Sequence, residues 1–296
     1  MPSLKEVRNR IVSVHGTKQI TAAMKMVSAA KLRRAQEAIV RMRPYAEKLS
    51  TILANVSASL DASEGKYSAQ REVKRVLFVP IVSNRGLAGA FNTQVFRLVR
   101  KAIIDAKANG QEVAILPVGK KAMDLYRRSG QLDAKLPTDL AGLFDGLNFD
   151  KAAPVAELLM EKFADGTYDR IVLFYNKFKN AAMQIVTEEQ FLPVLPTSTG
   201  TASAGARSAK ADHIMEPDRA TIVEEIIPKS LKIQFYKALL DSHAAEHGAR
   251  MTAMHKATDN ADALLKDLKL TYNKARQASI TNEILEIVGG AEALNG

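Results

Sequence analysis

With 296 residues, 47% of them hydrophobic and 25% charged, the chain has enough apolar content for a sizeable core in one or two domains. Cys and Trp are absent and aromatics make up 6%, which excludes disulfides, thiolate metal sites and a cysteine nucleophile and leaves little for base-stacking platforms. No stretch nears the ~18 consecutive apolar residues of a membrane span, and the opening MPSLKEVRNR reads as lacking a secretory signal.

The net charge of +10 is unevenly spread. Residues 1–48 hold eleven Lys or Arg against Glu6, Glu37 and Glu47, a net of +8, whereas residues 221–296 hold nine basic and ten acidic side chains. A field of that kind attracts an acidic partner: nucleic acid, an anionic membrane surface or an acidic protein face.

In chain order, residues 4–60 carry a long heptad pattern. One set of positions is Leu4, Ile11, Lys18, Lys25, Leu32, Ile39, Ala46, Leu53 and Leu60. The other is Val7, Val14, Thr21, Ser28, Ala35, Met42, Leu49 and Val56. Between Lys18 and Ser28 the seam turns polar, and the apolar stripe is expected to move sideways to Ile20, Met24 and Val27. Lys18 and Lys25 lie on the seam, so they are expected to meet the partner helix or something beyond it. Pro44 is expected to disturb the helix locally.

The polar stretch 61–74 should end this helix. RVLFVPIVS (75–83) and EVAILPVG (112–119) read as buried strands, with a helix over 93–108 between them and a short helix ending near Gly130. Residues 131–150 are expected to be irregular, followed by a helix from about Pro154 to Ala164. DRIVLFYNKF (169–178) is a third strand, and the alternating 182–194 should pair antiparallel with it. This order implies a central α/β domain over 75–195 with a largely parallel sheet.

Residues 196–218 read as a polar linker, and 219–296 as a second coiled-coil helix, with Pro217 and Asp218 near its start and Pro228 interrupting it so that the unbroken rod begins at Lys229. Its seam is expected at Met254, Ala257, Ala261, Leu264, Leu268, Tyr272, Ala275 and Ser279. At ~1.5 Å per residue some 65 residues span on the order of 100 Å, wider than a compact domain of this mass. Two seams at opposite ends of one chain pair antiparallel.

Chemistry is sparse. The turn SNRGLAGAFN occupies the place where a doubly wound sheet holds a phosphate, but it matches neither G-x-G-x-x-G nor G-x-x-x-x-G-K-[ST]. A tight strand-to-helix turn accounts for its glycines equally well. His243 and His247 have the spacing of two zinc ligands, yet no third ligand is evident, and a solvent-facing pair is the expectation. No grouping reads as a catalytic centre, and no cofactor or metal is called for. In ITNEILEIVGGAEAL, Thr281, Glu283 and Glu286 do not share one helix face, as at a tip surrounded by partner.

Four blocks in order then carry a resemblance. They are QITAAMKMVSAAKLRRA (19–35), SNRGLAGAFN, EPD at 216–218, and YNKARQASIT leading into Ile280-Thr281, Glu283, Glu286, Gly290 and Ala291. Over essentially its whole length the chain resembles the gamma subunits of F-type ATP synthases. That resemblance implies an α/β fold class: a long antiparallel coiled coil of N- and C-terminal helices plus a central Rossmann-like α/β domain. It implies a non-catalytic central-stalk rotor of the proton-translocating enzyme, turning inside a ring of three alpha and three beta subunits. The epsilon subunit and the membrane ring of c subunits would meet the α/β domain. Met24 and Lys25 would lie near an acidic loop of the beta subunits. Arg250, Arg276, Gln277, Thr281, Glu283 and Glu286 would face the alpha/beta ring, and Glu216 would lie near the c ring.

The implied location is the cytoplasmic face of a bacterial inner membrane, reached only through the complex, with no nucleic-acid partner. Without Cys, the thiol control of chloroplast forms is out. Two other readings stand beside this one: a basic coiled-coil protein that binds nucleic acid, and a nucleotide-dependent α/β enzyme. Steep salt dependence of DNA binding would mark the first, and saturable nucleotide binding by the isolated chain the second.

Overall fold

The computed structural model describes residues 3–57, 66–69, 71–133, 135–137, 139–194 and 219–295. The expected linker and Glu216 lie outside them. The chain divides into two compact units, one of residues 1–29 with 250–296 and one of residues 30–249, so each long helix contributes to both.

The larger unit is built on a four-stranded sheet in the order β2-β1-β3-β4. β1 (Arg75–Pro80) runs parallel to β2 (Glu112–Ile115) and to β3 (Arg170–Phe178), and β4 (Gln184–Leu192) is antiparallel to β3 along one edge. β1 and β3 are near-continuous apolar runs because both their faces are covered. One face, with Leu77, Val79, Ile81, Leu173 and Tyr175, packs under α4 (Phe149–Ala164) and the part of α5 (Arg219–Asn295) that carries Leu231, Phe235 and Leu239. The opposite face, with Val76, Phe78, Val172 and Phe174, packs against α2 (Phe91–Ala108) and α3 (Lys120–Tyr126). α4 starts earlier than its apolar pattern indicates, because the Asn148 side chain caps it by accepting from the Lys151 N–H at 3.0 Å. Residues 141–144, read as irregular, form a 3-10 turn.

The smaller unit is a pair of helical segments, from α1 (Leu4–Ser57) and from α5. Thr258 Oγ1 lies 2.9 Å from Thr21 Oγ1, and Lys18 Nζ lies 2.6 Å from Asp262 Oδ1. As α1 advances from Lys18 to Thr21, its partner position falls from Asp262 to Thr258, so the pair is antiparallel.

Three helical expectations are corrected. α5 runs unbroken through Pro228, although this residue supplies no N–H to the turn before it. The neighbouring Ile227 and Leu231 are buried in the core, and that packing holds the helix across the missing bond. The α1 stripe does not shift sideways: Ile20 and Val27 are 63% and 57% exposed, whereas Thr21 and Ser28 are buried. On α5 the seam residue is Leu265, 7% exposed, and not Leu264, 48% exposed. Taken together with Thr258, which meets Thr21, in place of Ala257, Leu265 gives strict alternation of four and three from Met254 to Ser279, which Leu264 does not. Pro44 lies inside α1, where a long packed helix accommodates it with a local disturbance.

Gly248 on α5 shows how closely this helix lies on the loop after β3. A Cβ there would stand 3.2 Å from the Ala181 carbonyl oxygen and 3.3 Å from its Cα. Gly248→Val should therefore lower stability by about 2–3 kcal/mol, read from the urea midpoint of the full chain, because the obstruction is backbone.

Candidate functional site

A doubly wound sheet holds ligands in the crevice beyond the carboxyl ends of its strands. Here α5 fills it. Ser242 Oγ donates to the carbonyl of Ile81 at the end of β1, at 3.3 Å. Ala245 packs on Ala88 and Phe91, where the SNRGLAGAFN turn enters α2, with Phe178 and Ala249 alongside. The polar groups of that turn are engaged within the unit. Ser83 N–H donates to Asn92 Oδ1 at 3.1 Å, and Ser83 Oγ to the Arg85 carbonyl at 2.7 Å. Asn84 donates to the Ala141 carbonyl and accepts from the Lys120 N–H. Thus the α2 N-terminus, the place for a phosphate, meets an alanine of α5.

His243 and His247 do not form the expected solvent-facing pair. Their Nε2 atoms lie 3.1 Å apart, His247 is 5% exposed, and His243 stacks on Phe144 with ring centroids 5.9 Å apart. Most of α5 from Leu231 to Gly248 is buried, so even polar side chains there are interior. Among the described residues no group of three or more His, Cys, Asp or Glu is arranged to hold a metal.

The second candidate is the helix pair and its tip. Stepping equally in opposite directions from Thr21–Thr258 sets Lys25 opposite Met254, Val14 opposite Leu265, Val7 opposite Tyr272 and Leu4 opposite Ala275. Leu4 is the first residue of α1, whereas α5 continues to Asn295. About twenty residues of α5, roughly 30 Å, therefore extend past the helix that accompanies the rest. Every residue from Thr281 to Ala291 is exposed.

Met24 and Lys25 are half-buried on α1. Arg250 is buried on α5, and Arg276, Gln277, Thr281, Glu283 and Glu286 are exposed on its overhang. Within the overhang, Thr281 Oγ1 donates to the Gln277 carbonyl at 2.9 Å and Ser279 Oγ to Glu283 at 3.3 Å. These bonds stay inside one helix and leave the side chains on its surface. Sequence reasoning misses the apolar component of this tip. Ile284, Leu285, Ile287 and Val288 are 55%, 63%, 71% and 49% exposed and share one broad face of about 160°, with Asn282, Glu283 and Glu286 on the opposite side. That pattern is legible in ITNEILEIV once no second helix is assigned to it. An exposed apolar face that broad calls for cover by partner surface.

Sequence reasoning also misses what the polar seam binds. Asp262 lies one residue beyond the seam position Ala261, and its carboxyl is held below the ordinary range, first by the hydrogen bond from Lys18. Away from this seam the basic side chains of α1 (Lys5, Arg8, Arg10, Lys31, Arg33, Arg34, Arg41, Arg43 and Lys48) are exposed.

The chain matches the ATP synthase family over residues 3–294. It is 57% identical to the ATP synthase gamma chain of Flavobacterium johnsoniae across 298 residues, covering 100% of each chain. Among solved structures, a chain of the central stalk and c ring of Tetrahymena thermophila mitochondrial ATP synthase aligns with a TM-score of 0.56 and 25% identity, covering 80% of this chain and 99% of that one. The rotor of Euglena gracilis mitochondrial ATP synthase aligns with a TM-score of 0.63 at 24% identity, over 94% of this chain and 98% of that one, and speaks to the fold. With the antiparallel helix pair, the filled crevice and a match running almost from end to end, this chain belongs to the ATP synthase gamma-chain family.

Proposed function

We propose that this chain, a central-stalk subunit by family, is the non-catalytic rotor that carries torque between a membrane c ring and a catalytic ring of three alpha and three beta subunits. The observation that carries the reading is the overhang of α5 past the first residue of α1, with Ile284, Leu285, Ile287 and Val288 exposed on one broad face and polar residues opposite. Partner surface has to cover that apolar face while the opposite side offers polar contacts, and a sleeve with both is what a rotating shaft requires. Arg276, Gln277, Thr281, Glu283 and Glu286 supply polar contacts to that sleeve. Met24 and Lys25 meet the beta subunits, where the basic exterior of α1 suits an acidic loop. Arg250 acts from its buried position by fixing the helix. The α/β domain is the part that meets the epsilon subunit and the c ring, the latter near Glu216. The chain then works at the cytoplasmic face of a bacterial inner membrane, held there through the complex. No helix among the described residues is long and apolar enough to cross a membrane.

Native mass spectrometry of the complex that co-purifies with a tagged chain tests this. The expected result is one copy of the chain with three copies each of two larger subunits. A free monomer, a homo-oligomer or a nucleic-acid adduct without such a ring would overturn it. In the assembled complex, Gln277→Ala with Thr281→Ala should lower ATP-driven proton pumping by about threefold while nucleotide binding by the ring is retained, since only shaft contacts are removed.

A further inference from the structure

The seam of the helix pair turns polar between Lys18 and Ser28, and at one level of that stretch polar groups pair across it. There Lys18 meets Asp262 and Thr21 meets Thr258, while Val7, Met254, Ala261 and Leu265 are buried at other levels. Thr258 Oγ1 also reaches the carbonyl of Met254 at 2.7 Å, which fixes its rotamer and aims it at Thr21. Lys18 and Asp262 keep side-chain exposures of 35% and 50%, so their ion pair adds little to stability. Its effect lies in the comparison between registers.

A heptad seam is nearly self-similar under a slip of seven residues, because apolar positions again meet apolar positions. In this chain such a slip would set Thr21 against Leu265 in one direction or Met251 in the other. It would also separate Lys18 from Asp262. Each slipped state loses both polar pairs and sets a hydroxyl against an apolar side chain with only its intrahelical bond left, Thr21 to the Lys18 carbonyl and Thr258 to that of Met254. One slip would also move the tip of α5 by about 10 Å along the pair.

We propose that Lys18, Thr21, Thr258 and Asp262 form a register lock that sets how far the α5 tip extends beyond α1. They are positioning residues and make no contact with substrate. The proposal rests on the rotor reading, because the length of the overhang then sets how deep the shaft reaches into its ring.

The chain has no Cys, so engineered cysteine pairs report register without background. Val14→Cys with Leu265→Cys reports the native register. Val14→Cys with Tyr272→Cys, and Val7→Cys with Leu265→Cys, report slips in the two directions. In the full-length chain within its purified complex, only the native pair should cross-link. In a background of Lys18→Leu, Thr21→Leu, Thr258→Leu and Asp262→Leu, the slipped pairs should gain about tenfold in cross-linking yield. Proton pumping per ATP hydrolysed should fall with them. The exchange Lys18→Asp with Asp262→Lys should restore both readouts relative to either single reversal, and the slipped-pair cross-links are the readout that a role in helix stability alone would not move. Native-only cross-linking in the all-leucine variant, or no rescue by the exchange, overturns the lock. Should the all-leucine variant fail to fold, the exchange series decides. If the parent cysteine chain cross-links in the native register but joins no ring, the rotor reading fails and the lock, as a property of the helix pair, survives.

Discussion

Gly119→Ala should lower the stability of the α/β unit by about 3–5 kcal/mol, seen as a shifted urea midpoint or as loss of soluble protein. Gly119 sits at φ +99° and ψ 146°, a region open essentially to glycine alone, where the chain passes from β2 into α3. A Cβ added there would stand 2.2 Å from the carbonyl oxygen of Val82. That backbone cannot move away cheaply, because the Val82 N–H is bound to the carbonyl of Val118 at 3.0 Å and the Lys121 N–H to that of Ser83 at 3.2 Å. Gly130 supplies the control. It too has positive φ, at +67°, but a Cβ added there would meet nothing within 4 Å. Gly130→Ala should cost about 1 kcal/mol, so the excess at Gly119 measures the collision together with its glycine-only backbone region.

Asp241→Asn should act in the opposite direction and depend on pH. Asp241 is 7% exposed on α5, and burial pushes its carboxyl up to about 6, against the opposing pull of Lys237 and Lys177. Nearby Glu189, which accepts from Tyr175 OH and from Gln234 Nε2, adds to the upward push. The unfolded chain would titrate near ~3.9, so between about pH 4 and 6 the folded state holds more protons than the unfolded one. Stability contributed by this group therefore falls as pH rises through that window and is level above it. At pH 8 the charged carboxylate is unfavourable by about 2–3 kcal/mol, and Asp241→Asn should recover most of this. Thermal melts at pH 4, 6 and 8 would show it as a gain of about 5 °C at pH 8 that vanishes at pH 4. An equal gain at all three values would mean that the carboxyl is not the cause.

The sheet is readable in the sequence because β1 and β3 are long apolar runs closed by turns, and β4 because its residues alternate. The heptads of α1 are readable for the same reason, down to the polar positions 18, 21, 25 and 28. What escapes depends on tertiary context. Leu264 and Leu265 are adjacent and chemically identical, so only the strict alternation of spacing separates the buried one from the exposed one. Pro228 has a reputation as a helix breaker that the packing of Ile227 and Leu231 outweighs. His243 and His247 carry no mark of burial in themselves; they are interior because the sheet, the 3-10 turn at Phe144 and α5 converge there. For the candidate site, the polar residues of the α5 tip are legible through resemblance, whereas its exposed isoleucines and leucines pass for seam residues until the end of α1 is located. Asp262 is invisible as a partner because it lies one position off the seam and reaches Lys18 with its side chain.

The filled crevice also bears on the order in which the molecule assembles during synthesis. Leu231, Phe235 and Leu239, which cover one face of the sheet, and Ala245, which closes its carboxyl edge, belong to the last quarter of the chain. The seam of residues 4–28 likewise waits for residues 251–275, the partners its register assigns. A ribosome therefore carries a half-covered sheet and an unpaired amphipathic helix until translation is nearly complete. Contacts this distant in sequence close slowly, and apolar surface left open for that long invites association with other chains. Folding of this protein is in large part a post-translational event, and nascent chains stalled before residue 231 should be the ones that chaperones hold.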